Sequence, residues 1–129
     1  MPNIDAIATV VEDMGRTLGF YRLLGFAVPP EADTDGYVTI DLGNGIRFAW
    51  NTEEVEHTFN PGWQAPSVAG RMGITMRCRD VAEVDTIFAE IVGAGYEGDL
   101  EPFDAPWGSR HCRIFDPDGN AIDLFAPLP

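Results

Sequence analysis

A chain of 129 residues, 45% apolar and 22% charged, can bury one core as a single compact domain without disulfide or metal staples. Its charge is lopsided: eight arginines and no lysine stand against 21 acidic residues, for a net charge of −13. With no basic stripe for a phosphate backbone, and no apolar run of membrane-spanning length, the composition argues against nucleic acid and membrane as partners. The acidity suits a cationic ligand, although solubility accounts for it equally well.

The N-terminus lacks a basic region followed by an apolar stretch, so no signal peptide is apparent and a cytoplasmic location is the default expectation. Ile4 to Val11 reads as a mostly buried strand, rich in β-branched and small residues. Asp13 then offers a carboxylate N-cap to a helix with a stripe of Leu18, Phe20, Tyr21, Arg22 and Leu24, which Gly25 stops. Phe26-Ala27-Val28 begins a short strand that Pro29-Pro30 ends, and the polar run 31–36 is a loop. Tyr37–Leu42 and Ile46–Asn51 are two more strands, joined by the tight turn Gly43-Asn44-Gly45. Residues from about 53 to 71 lack clean periodicity and form a linker, with one helical turn at Glu53–His57. Phe59 and Trp63 suggest that this linker folds over something apolar.

After the linker the pattern restarts. Met72–Arg79 is a strand and Asp80 an N-cap. Val84, Ile87, Phe88, Ile91 and Val92 form a helical stripe, which Gly93 and Gly95 close, and a strand starts at Tyr96. The chain finishes on a hairpin whose strands, Arg110–Phe115 and Ala121–Phe125, flank Asp-Pro-Asp-Gly-Asn. There proline presets one turn angle, glycine supplies a positive φ, and Asp and Asn satisfy local backbone groups. Cys78 and Cys112 fall inside predicted strands with no zinc or redox spacing, and are expected reduced and buried. The paired helix starts (Asp13, Asp80), glycine–aromatic exits (Gly25-Phe26, Gly95-Tyr96) and hairpin turns amount to an internal duplication of a βαβββ unit.

Thr9-Val10-Val11-Glu12-Asp13-Met14, Phe20-Tyr21-Arg22-Leu23-Leu24-Gly25-Phe26 and Asp116-Pro117-Asp118-Gly119-Asn120-Ala121-Ile122-Asp123-Leu124 together resemble the vicinal-oxygen-chelate superfamily. That superfamily includes glyoxalase I, extradiol dioxygenases, fosfomycin-resistance enzymes and bleomycin-binding proteins. The resemblance spans residues 4 to 126. It implies an α+β fold in which two tandem βαβββ modules, about 4–52 and 72–126, form a curved mixed sheet around a cleft, with helices on the outer face. Enzymes of the superfamily generally hold a divalent metal through His, Glu or Gln side chains on strands of both modules. Counting from the helix starts and the final turn, those positions fall here on Ala6, Gly73, Asp123 and about Ala49. Alanine and glycine carry no donor, and a lone aspartate holds a divalent ion weakly, so no metal and no other cofactor is expected.

Period-two alternation turns Ile122 and Leu124 toward the helices and Asp123 and Phe125 away from them. Asp123 could then accept hydrogen bonds, bind a cation, or serve as a general base if its pKa is raised. A structural carboxylate paired with Arg110 or Arg113 is equally open. The candidate ligand-binding set is Trp50, Phe59, Trp63, Phe103, Trp107, Arg110, His111, Asp123 and Phe125, although strict alternation favours core packing for Trp50. The expected function is a metal-free small-molecule-binding protein of the glyoxalase/bleomycin-resistance type. It would sequester an aromatic or cationic compound, and dimers of antibiotic-binding relatives imply a homodimer here. The alternative is a metal-independent enzyme of lyase, isomerase or hydrolase type using Asp123 with His111 as acid and base.

Overall fold

Asp13 and Asp80 start the two longer helices in the same way. Each is extended in backbone, and its carboxylate accepts from the amide three residues on, Arg16 N at 3.1 Å and Glu83 N at 2.9 Å. The resulting helices are α1, Met14–Leu23, and α3, Val81–Gly93. Both end at a glycine in the left-handed region, Gly25 with φ 96° and Gly95 with φ 91°, where a side chain would be strained. This computed structural model describes residues 1–67 and 71–129. Residues 68–70 of the expected linker lie outside the described residues.

Two compact units divide the chain between Ala65 and Pro66, inside the segment read as a linker. The first unit holds β1 (Ala6–Val11), α1, a 3-10 turn (Pro30–Thr34), β2 (Tyr37–Asp41), β3 (Arg47–Thr52) and α2 (Glu53–Phe59). Its sheet runs β1-β3-β2, with β1 parallel and β2 antiparallel to β3. Tyr21, Phe26, Phe48 and Trp50 form the aromatic centre of its core, with ring centroids 4.6 Å apart for Phe48–Trp50 and 5.2 Å for Tyr21–Trp50. The expected helical turn at Glu53–His57 extends to the seven residues of α2, capped by the Thr52 hydroxyl accepting from Val55 N at 3.2 Å.

One expected strand is not formed. Phe26-Ala27-Val28 joins no sheet among the described residues. Arg22 explains this: its guanidinium donates to the carbonyls of Val28 (2.8 Å) and Pro29 (2.9 Å), and pairs with Asp33 at 2.7 Å. Pro29 and Pro30 have no N–H to offer a ladder, so those carbonyls are taken by a side chain instead of a neighbouring strand.

The second unit holds β4 (Gly73–Arg77), α3, β5 (Glu97–Ala105), β6 (Ser109–Phe115) and β7 (Ala121–Pro127), a complete βαβββ set in the order β4-β7-β6-β5. The first unit repeats this order with the β5 counterpart missing. Register repeats as well: Ala8 lies opposite Ala49 in one sheet as Thr75 lies opposite Asp123 in the other. On one face of the second sheet Cys112, Ile114, Ile122, Leu124 and Ala126 are buried, with Val84 and Ile91 of α3. Both thiols are free and buried; burial pushes Cys78 up to about 11 and Cys112 up to about 12. No helix among the described residues is long and apolar enough to cross a membrane.

Candidate functional site

The hairpin turn sets the site. Asp116, buried within it, accepts from Asp118 N and Asn120 N, each at 2.9 Å, and from Asn120 Nδ2 at 2.8 Å. That turn fixes the antiparallel register, so Arg113 falls opposite Asp123 and His111 opposite Phe125. Alternation then sends all four side chains to the face away from α3. On the far side of β6, Phe103 is registered with His111, after two irregularities in β5 at Gly98–Leu100 and Leu100–Phe103 reset its phase.

Asp123 is the hub of this half-buried face. Arg113 donates to it twice, Nε to Oδ1 at 2.6 Å and Nη2 to Oδ2 at 3.1 Å, and His111 Nε2 lies 3.0 Å from Oδ2. Burial works to raise the carboxyl's pKa, but the hydrogen bonds and charges of Arg113 and His111 outweigh it and hold the group below its ordinary 3.8. A general base with a raised pKa is therefore not what Asp123 is. Of its two anticipated partners, Arg113 is the one it takes. Arg110 points to the opposite face, where it binds Asp85 of α3 and Asp104, each at 3.0 Å.

Beside this ion pair lies an aromatic corner. The His111 ring stands edge-on to Trp107, at 5.6 Å between centroids, and to Phe103, at 5.9 Å. Trp107 is two-thirds exposed, at 66%. With Nε2 directed at Asp123, the other ring nitrogen of His111, Nδ1, is buried without a hydrogen-bond partner among the described residues, as is Ser109 Oγ two residues earlier on the same strand. On the other flank of Asp123 the lining of a recess of about 300 Å³ includes Arg71, Met72, Gly73, Thr75, Arg113 and Asp123.

The second unit thus gathers Phe103, Trp107, His111, Asp123 and Phe125, and excludes Arg110. The remaining expected residues belong to the first unit. Trp50 has no exposed surface and sits in the aromatic core, as its alternation favoured, so it has no face to offer a ligand. Phe59 covers nothing apolar, being 69% exposed at the end of α2, while the Trp63 carbonyl lies 2.9 Å from His57 Nε2. Sequence reasoning missed Arg71, which fell in the supposed linker, and Thr75. Thr75 stands two residues after Gly73 on one face of β4, whereas Arg71 precedes the strand.

Of the four positions at which the resemblance implies metal donors, only Asp123 has one, and both of its oxygens are engaged by Arg113 and His111. No cluster of three or more His, Cys, Asp or Glu side chains able to hold a metal occurs among the described residues. The donor set does not fit a divalent ion.

A family model for the Glyoxalase/Bleomycin resistance protein/Dioxygenase superfamily matches residues 3–124. No curated protein matches the chain. Among solved structures, the chain is similar to a glyoxalase/bleomycin resistance protein/dioxygenase family enzyme from Burkholderia phytofirmans. The two are 14% identical with a TM-score of 0.81 over 98% of this chain and 100% of that one. A glyoxalase-related enzyme from Fulvimarina pelagi shares 20% identity and a TM-score of 0.78 over 98% and 88%. A protein of unknown function from Agrobacterium tumefaciens shares 26% identity and a TM-score of 0.73 over 99% and 96%.

Proposed function

Because this chain belongs to the glyoxalase/bleomycin resistance protein/dioxygenase superfamily, we propose that it is a metal-free small-molecule-binding protein taking an aromatic compound on the face of its second sheet that carries Asp123. The observation that carries this reading is the Phe103–Trp107–His111 corner beside an ion pair that is already satisfied. Exposed aromatic edges and faces next to a fixed polar group are what a flat ligand needs: large apolar contact, with a few directed polar atoms to orient it. The cationic half of the expectation has less support, since Arg113 already neutralises Asp123.

Thermal-shift and tryptophan-fluorescence titrations with aromatic and cationic antibiotics, on chelator-dialysed protein, test it. Binding that survives dialysis and drops at least tenfold in Trp107→Ala is expected. Stoichiometric Zn, Ni, Mn or Fe in protein purified without chelator overturns the metal-free reading. The same protein is proposed to be a homodimer, for which light scattering in solution should give twice the chain mass of 14.1 kDa.

A second reading is favoured by one observation, the Nδ1 of His111, which is without a partner among the described residues. His111 Nε2 lies 3.0 Å from the Asp123 carboxylate, and a carboxylate that orients a histidine ring is the arrangement from which a general base works. Metal-independent lyase, isomerase or hydrolase chemistry would then run through His111, with Asp123 positioning it. Turnover of any discovered substrate that persists in His111→Asn removes this reading.

A further inference from the structure

In a chain with 21 acidic residues and eight arginines, an arginine meets a carboxylate by default. Arg22, Arg47, Arg79, Arg110 and Arg113 all do so. Arg71 and Arg77 have no carboxylate partner among the described residues, and both flank the same stretch of β4. Arg71 lines the 300 Å³ recess together with Arg113, and Arg77 follows Gly73 and Thr75 on the same strand face. Among the described residues Asp123 is the only carboxylate lining that recess, and both of its oxygens are turned to Arg113 and His111. Asp99 touches Arg113 only from outside the lining, at 3.9 Å. The lining therefore carries two guanidiniums against one carboxylate, a local positive excess on a protein of net charge −13.

We infer that this recess is an anion subsite, and that the ligand is an aromatic carboxylic acid whose carboxylate sits between Arg71 and Arg113. This inference rests on the aromatic-ligand reading above and supplies the other end of the molecule. Guanidinium forks match a planar carboxylate with paired N–H donors, and a singly charged anion meets less repulsion from Asp123 than a phosphate would. Gly73 and Thr75 line the recess, and at Gly73 an added Cβ would press on the Ala121 carbonyl oxygen at 3.3 Å, so β4 runs close against β7 there. Arg113 and His111 stand two residues apart on one face of β6, about 7 Å at the usual rise, and the His111 ring lies 5.6 Å from Trp107, so a two-ring acid held at Arg113 runs along β6 toward Trp107.

Three probes of one shape separate the possibilities by calorimetry on the full chain: para-phenylbenzoate, para-phenylbenzamide and para-phenylbenzylamine. The acid is expected to bind about tenfold more tightly than the amide, and the amine most weakly. Arg71→Gln, an exposed position, should bring acid and amide within about twofold of each other, and added salt should weaken the acid alone. Equal binding of acid and amide, preference for the amine, or an acid preference that survives in Arg71→Gln overturns the anion subsite while leaving aromatic binding intact. An acid preference unmoved by Trp107→Ala keeps the subsite and removes the aromatic corner. Binding of none of the three probes overturns both.

Discussion

Asp123 shows how far one side chain's role depends on its cross-strand neighbour. Its folded pKa is depressed, so its ion pair contributes stability that is fully present above 3.8 and is lost as pH falls through the lower folded value. Urea midpoints should thus hold steady from about pH 6 to about pH 5 and then fall toward pH 3. In Asp123→Asn that fall should be shallower and the neutral-pH midpoint lower, since Arg113 loses its carboxylate. An unchanged acid limb would mean that the pair adds nothing. The buried thiols make a second prediction at this scale. With Cys78 near 11 and Cys112 near 12, hardly any thiolate exists at neutral pH, so iodoacetamide should label neither in the folded chain and both in denaturant. Rapid native labelling of Cys112 would contradict its place behind the sheet.

Among the elements, the final hairpin is the one whose turn does the most to fix the site. Asp116→Ala removes three acceptor contacts from a buried carboxylate and should destabilise the protein by about 1–3 kcal/mol, measurable by chemical denaturation. A cost below about 0.5 kcal/mol would show that the Pro-Asp-Gly sequence alone sets the turn. This hairpin was legible from the chain because its signals are local, as were the caps at Asp13 and Asp80. The missing strand at Phe26–Val28 was not, because its fate depends on where a helical arginine, Arg22, reaches across the chain. The same limit applied at the site. Asp123 and His111 stood out as polar residues among apolar ones, and counting outward from the turn puts Arg113 opposite Asp123. Arg71 gave no such signal, since only the partners of the other arginines mark it as unpaired. Trp50 followed its alternation into the core. Phe59 did not follow its hydrophobicity, because α2 is short and no described residue covers its end.

For the whole molecule, the scaffold repeats and the chemistry does not. Strand order and register recur between the two units, yet Ala49 opposite Ala8 stands where Asp123 lies opposite Thr75. One copy presents methyl groups at positions where the other presents a hydroxyl and a carboxylate. The proposed site in the second unit predicts a stoichiometry of one ligand per chain, and calorimetry returning two equivalent sites would contradict that assignment. The bare half is then the natural place to install a second activity. Ala8 and Ala49 occupy the same backbone relation as Thr75 and Asp123, so Ala49→Asp, with an arginine introduced at its cross-strand neighbour Thr39, would ask whether the duplicated frame accepts a second copy of the Arg113–Asp123 pair.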